Sequence, residues 1–352
     1  MQKTVAKINL KAVQNNAKIF KDLTGVKLCA VVKANAYGHG GAEVSNALES
    51  IADFFAVALI EEGLEIRQAV CGKEILILTP PTDENEVRLS LDERLILTAD
   101  SLRTAKLIER VARISQKTIK VHLKVNTGMN RYGAGLQEVG KICKFLKNSP
   151  FVLVTGAYSH LYSTNVKTAY AQREIFLRAK TVIGRYFENL LFHLSATFGC
   201  LLGKDFYFDA VRVGLGLYGY LPDERTTSAN ELGLNRAMRV YAKTTSSKEY
   251  RYGGLGYGNE RTGEVEKGEK IRLLRVGYAD GFLRSKENGT LGSDRNTSCL
   301  CMDACLRYGG KQRGRYECIL SNADETAKAT GTISYEVLCK ATIRASFEYL
   351  YE

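Results

Sequence analysis

Lys33 stands where an apolar run ends. Leu28 to Val32 shows no polar alternation, as in a strand covered on both faces, and the lysine follows directly. A desolvated lysine amine has a depressed pKa and attacks carbonyl carbon to form a Schiff base. Beyond it Asn35, Tyr37 and His39 recur at every second position among small residues. Gly38, Gly40 and Gly41 then loosen the backbone before a helix-like stretch from Ala42 to Ser50. Taken alone, a strand-end lysine reads as a side chain that snorkels to solvent; its neighbours favour the chemistry. Lys124, His160, Ser195 with Thr197, and Arg212 bear the same relation to other apolar runs. The four histidines, His39, His122, His160 and His193, also lie in or beside such runs. Each alone reads as a satisfied core residue, and together they suggest one polar mouth.

The elements that must position these groups form a rhythm. Apolar runs at Leu28–Val32, Phe54–Ile60, Ile75–Thr79, Leu95–Thr98, Ile119–Val125, Val152–Tyr158, Leu190–Leu194 and Ala210–Leu217 give eight candidate strands. Helix-like segments between them include Ile60–Val70, Ser101–Ile114, Leu136–Leu146 and Val166–Phe187, with Asp100 and Ser101 forming a helix start. The expected class is α/β: an N-terminal (β/α)8 TIM-type barrel whose working residues sit at the carboxyl ends of its strands. After Leu221-Pro222-Asp223 the pattern changes. Residues 223–233 read as a linker, followed by strand-like segments at Arg239–Thr245, Lys270–Val276, Ala304–Tyr308, Tyr316–Leu320 and Ala341–Ser346, with one short helix at Ser334–Cys339. The expected division is a barrel over 8–222 and a mostly-β domain over 223–352, which residues 1–7 are free to join.

With 352 residues, the length suits two domains, and 45% hydrophobic with 25% charged residues is an ordinary globular composition. No apolar run approaches the ~20 residues of a membrane span. The amino terminus shows no signal-peptide core, so the expected compartment is the cytoplasm. The net charge of +12 is spread without a nucleic-acid motif, so neither nucleic acid nor membrane is an expected partner. It would help attract a phosphate or carboxylate. Nine cysteines without a Cys-x-x-Cys pair read as reduced thiols, and the spacing of Cys299, Cys301 and Cys305 is not that of a zinc site. No metal is expected.

Three barrel segments are similar to signatures of the alanine racemase family. They are Val32-Lys33-Ala34-Asn35-Ala36-Tyr37-Gly38-His39-Gly40, Lys124-Val125-Asn126-Thr127-Gly128-Met129-Asn130-Arg131, and Arg212-Val213-Gly214-Leu215-Gly216. The second domain adds Leu255-Gly256-Tyr257-Gly258, Gly277-Tyr278-Ala279-Asp280-Gly281, Cys301-Met302-Asp303 and Gly331-Thr332-Ile333-Ser334-Tyr335-Glu336. The resemblance implies pyridoxal 5'-phosphate held on Lys33, with Tyr37, His160, Ser195, Thr197, Arg212, Gly214, Leu215 and Tyr335 around it. It implies that Arg212 faces the pyridine nitrogen with His160 in support, and that an arginine cannot hand that nitrogen a proton. Arg131 and Met302 would meet the substrate, and Tyr278 would line the active-site entrance. Lys124 is either a carbamylated lysine or a plain lysine facing a carboxylate. Where the family usually has an asparagine, this chain has Ala196, so Thr197 and Ser195 compete as phosphate donors.

The activity implied is two-base interconversion of L- and D-alanine, with Lys33 and Tyr257 catalytic, which supplies D-alanine for peptidoglycan. The expected assembly is a head-to-tail homodimer with Tyr257 delivered in trans. Rival readings are a racemase of other amino acids, a barrel decarboxylase and a regulatory cofactor-binding barrel. Arg212 weighs against the decarboxylase, and the second domain with Tyr257 weighs against the regulator.

Overall fold

In a computed structural model, the structure describes residues 4–222, 228–257, 265–284, 297–309 and 314–351 of the 352. It forms two compact units. One comprises Val13–Ala36 and Gly41–Asn235, the other Met1–Ala12, Tyr37–Gly40 and Arg236–Glu352.

The chain begins with β1 (Thr4–Asn9), a strand of the second unit, and α1 (Leu10–Thr24). The first unit then lays down eight strands. They are β2 (Lys27–Val31), β3 (Phe54–Val57), β4 (Ile75–Ile77), β5 (Leu97–Ala99), β6 (Ile119–Lys124), β7 (Val152–Tyr158), β8 (Leu191–His193) and β9 (Ala210–Val213). All eight are parallel, in the order β4-β3-β2-β9-β8-β7-β6-β5. A Leu76–Ile96 bridge brings the outer edges together, so the sheet curls into a barrel. Every residue of β3, β4 and β9 is buried, which explains their unbroken apolar sequences. The runs overshoot several strand ends, two of them into the next element: Ile60 already opens a helix, and Leu215–Leu217 belongs to a 3-10 turn.

The intervening helices are α2 (Lys33–Gly38), α3 (Gly41–Leu48), α4 (Ile60–Arg67), α5 (Glu84–Asp92), α6 (Leu102–Ser115), α7 (Leu136–Leu146), α8 (Val166–Gly184) and α9 (Thr197–Cys200). Ser101 caps α6 by accepting the Thr104 N–H at 3.2 Å, and Asn165 caps α8 in the same way. Helix α2 is left-handed. Ala34, Asn35, Ala36 and Tyr37 all have φ of 52–53°, a region that costs an L-residue roughly 1–2 kcal/mol.

In the second unit the long strand β10 (Met238–Glu249) pairs antiparallel with β1, with β11 (Lys270–Leu274) and with β14 (Tyr316–Leu320). Strands β12 (Thr297–Leu300) and β13 (Cys305–Tyr308) extend the β11 edge, and β15 (Ser346–Leu350) lies parallel to β1. Helices α10 (Ala323–Thr330) and α11 (Ser334–Lys340) pack on each other. The expected strand at Ala341–Ser346 is displaced. Residues 341–345 turn after α11, through bonds such as Ala345 N–H to Thr342 carbonyl, and the strand begins at Ser346, where β1 offers its pairing edge. Residues 223–227 of the expected linker, Gly258 and the Cys299 side chain lie outside what is described. Among the described residues no helix is long and apolar enough to cross a membrane.

Candidate active site

Arg212, on β9, is 3% exposed and makes five polar contacts. Nη1 donates to His193 Nδ1 at 2.8 Å and to the His193 carbonyl at 3.0 Å. Nη2 donates to the carbonyls of Ser159 and Leu194 at 2.6 and 3.1 Å, and to His160 Nδ1 at 3.3 Å. Because the arginine donates to Nδ1 of His193, that ring carries its proton on Nε2 and donates it to His122 Nδ1, 3.0 Å away. Burial first, then the charge of Arg212, holds His160 and His193 well below their ordinary value and His122 at about 3. The histidines are therefore neutral acceptors that fix the guanidinium in one orientation. They do not form a single mouth. His122 lines an open cavity of about 830 Å³ with Lys27, Asp53, Glu74 and Asp209, residues at or just before strand starts.

Lys124 ends β6 and is 8% exposed. Its Nζ lies 4.0 Å from the centre of the Tyr158 ring, and Arg212 lies 5.1 Å from the same ring. Tyr158 in turn stacks flat on His193, at 5.0 Å and 4°. Burial, followed by Arg212 and Arg131, pushes the Lys124 amine well below its usual value. Lys124, Arg131 and His160 line one small pocket beside Thr127 and Ser159. The Ser195 hydroxyl is committed to the Phe206 carbonyl at 2.7 Å. Thr197 Oγ1 accepts the Gly216 N–H at 3.2 Å, beside the 3-10 turn Leu215–Tyr218. The N–H of Leu215 opens that turn and has no partner within it. A Cβ at Gly216 would come within 2.4 Å of Phe20, so only glycine fits.

The second unit arranges its own matched segments. The Tyr278 N–H donates to the Cys301 carbonyl and the Ala279 N–H to the Met302 carbonyl, each at 3.0 Å. These bonds hold the Gly277–Gly281 and Cys301–Asp303 segments side by side. Arg344 bonds Asp303 at 2.8 Å and reaches Asp280 at 3.9 Å, joining the same two segments; the degraded closing sequence gave no sign of that role. Tyr37 meets Tyr335 ring to ring at 6.0 Å. Tyr257, Met302 and Tyr278 are 75%, 54% and 41% exposed.

A family model described as "Alanine racemase, N-terminal domain" matches residues 8–222, and one described as "Alanine racemase, C-terminal domain" matches 237–349. The chain belongs to the alanine racemase family. Alanine racemase of Lactobacillus delbrueckii subsp. bulgaricus is 33% identical, with 95% of this chain and 94% of the relative covered. Alanine racemase 2 of Oceanobacillus iheyensis is 31% identical over 96% of this chain and 90% of its own length. Among solved structures, the alanine racemase of Clostridium difficile 630 superposes with a TM-score of 0.90 at 29% identity, covering 99% and 96% of the two chains.

In this alanine racemase-family barrel the structure gathers Lys124, Arg131, His160 and Arg212, and it brings Thr197 to Gly216. The charge of Lys33 also reaches His160. Two residues near Arg212 and Lys33 went unread in the sequence. Tyr158 looked like one more apolar strand residue, and Glu62 like a solvated helix carboxylate. Neither carried a signal apart from its neighbours in space.

Proposed function

We propose that this chain interconverts L- and D-alanine with pyridoxal 5'-phosphate bound in its barrel. One observation carries the reading. Arg131 and Lys124 line one small pocket with His160, which is bonded to Arg212, and no carboxylate is among the residues lining that pocket. Two guanidinium groups in and beside a pocket without an acid fit an anionic ligand bearing phosphate, phenolate and substrate carboxylate. Thr197 and the N–H groups of Gly214 and Leu215, at the opening of the 3-10 turn, suit the phosphate, and Ser195, turned to Phe206, suits it less. When bound, the cofactor supplies an electron sink that acidifies the substrate α-hydrogen.

The chain's residues do the rest. Lys33 Nζ takes or returns the proton on one face of the α-carbon and Tyr257 Oη on the other, because inversion needs a proton handled on each side. The fork of Arg131 suits the substrate carboxylate. Arg212, locked by five contacts, keeps its protons and withholds one from the ring nitrogen. The buried Lys124 amine, shifted toward its neutral form, favours the carbamate reading: carbon dioxide adds, a proton leaves, and the new negative charge faces Arg131 and Arg212. The exposed Tyr257 suits a site closed by a second copy of the chain.

The test is direct. Purified protein supplied with the cofactor should abolish the optical activity of either alanine enantiomer, and borohydride should fix the cofactor to Lys33. Label on another lysine, or no loss of optical activity, would overturn the reading.

A further inference from the structure

Four consecutive L-residues in the left-handed region form a turn that must be held from outside. At roughly 1–2 kcal/mol per residue, α2 carries a conformational cost that persists only where its surroundings over-determine it. Three bonds within the barrel unit are among those that act on it. The Ala36 N–H donates to the Val32 carbonyl at 2.8 Å, and the Gly41 N–H to Asn35 Oδ1 at 2.6 Å. The third comes from another element: the Ala34 N–H donates to Glu62 Oε1 at 2.6 Å.

The other oxygen of Glu62 is already engaged. Oε2 accepts the N–H groups of Ala58 and Leu59 at 2.7 and 3.0 Å, so one carboxylate gathers three backbone donors. Two of them fix Glu62 to the start of α4, and the third is the peptide that joins Lys33 to Ala34. Bonds from N–H to carboxylate are short and about twice as strong as neutral ones. Ala34 is exposed, so water would satisfy its N–H equally well but would not dictate its position. The bond therefore contributes geometry. We infer that Glu62 is a positioning residue for Lys33, setting the direction in which the lysine leaves β2 by clamping the peptide that follows it. This rests on the reading of Lys33 as the cofactor-bearing base.

The experiment compares holoenzymes of the wild type, Glu62→Gln and Glu61→Gln. An amide at 62 keeps the size but turns one of its two ends into a donor, so it fails to accept on both sides. Glu62→Gln should lower kcat about tenfold to a hundredfold in both directions, with KM changed less than about threefold, as a small misplacement of a reacting group does. Its visible absorption band should shift, and borohydride should fix less cofactor to Lys33. Glu61→Gln, at an exposed position one residue earlier, should behave as wild type. A variant with wild-type kcat and an unmoved band, whatever its thermal midpoint, overturns the inference. Should Glu62→Gln be recovered too poorly for kinetics, Glu62→Asp keeps the cap on α4, withdraws from Ala34 and carries the same two readings. Failure of the wild type to label at Lys33 would instead defeat the assignment beneath it.

Discussion

His122, His160 and His193 are neutral in the fold because burial and Arg212 both penalise their charged forms. In the unfolded chain they would bind protons near pH 6.5. Below that value the unfolded state holds more protons than the folded one, so stability falls as pH falls. By pH 5.5 His122, held at about 3, should cost about 1.4 kcal/mol, and His160 and His193 add to the loss in the same direction. Urea unfolding at pH 7.5 and 5.5 measures this, and His122→Gln should shrink the difference by about 1.4 kcal/mol. Arg212→Lys should reduce kcat about a hundredfold, since a point charge replaces a planar fork with five defined contacts; unchanged racemisation would show that the orientation is unnecessary. The polar residues at strand ends were legible one by one. Their mutual contacts were not, because the chain of Arg212, His193 and His122 links three strands whose sequences say nothing of register.

At the scale of elements, the barrel was legible because each parallel strand is buried on both faces and announces itself as a short apolar run. Strand β1 was missed: Lys7 and Asn9 interrupt its apolar residues, and its partners lie more than 200 residues away. Helix α10 was missed because its composition is polar, although Asn322 at its start and Gly331 beyond its end were a readable pair of caps. The left-handed α2 gave no sign beyond its small residues and glycines. Where elements meet, single atoms decide. Gly216→Ala would drive a Cβ into Phe20 of α1 and should cost about 1–3 kcal/mol by thermal unfolding. In the β unit, Glu317 bridges Arg272 at 2.9 Å and Arg307 at 2.8 Å, with Thr244 at 2.9 Å. Burial alone would raise its pKa, but these partners outweigh it and hold the carboxyl below the usual range. Its contribution is complete above the ordinary carboxylate value and lost as pH falls through the lower folded one, a window more acidic than that of the histidines. Glu317→Gln should cost about 3–5 kcal/mol, because the buried Arg272 and the half-buried Arg307 both lose the charge that faces them.

For the whole molecule, the proposed trans site predicts complementation. In a mixed dimer of Lys33→Ala and Tyr257→Phe chains, a shared site leaves one pocket with both lesions and the other with neither. Random exchange makes about half the dimers mixed, so about a quarter of all sites regain activity. If activity stays at the level of the separate variants after exchange is proven, each chain uses its own tyrosine. The pairing of β1 has a consequence of another kind, in time. Val5 lies opposite Ser346 and Asn9 opposite Leu350, so the first of the described strands is flanked by the last of them. At about 5–20 residues per second, synthesis of this chain takes roughly 20–70 s, and for nearly all of it that edge has no partner. The eight barrel strands have all been made by residue 213. The barrel strands can therefore pair while later segments are still being made, whereas this edge of β1 is covered only once residues 346–350 have emerged. A nascent chain stalled near residue 340 should protect barrel amides from hydrogen exchange and leave those of Thr4–Asn9 open.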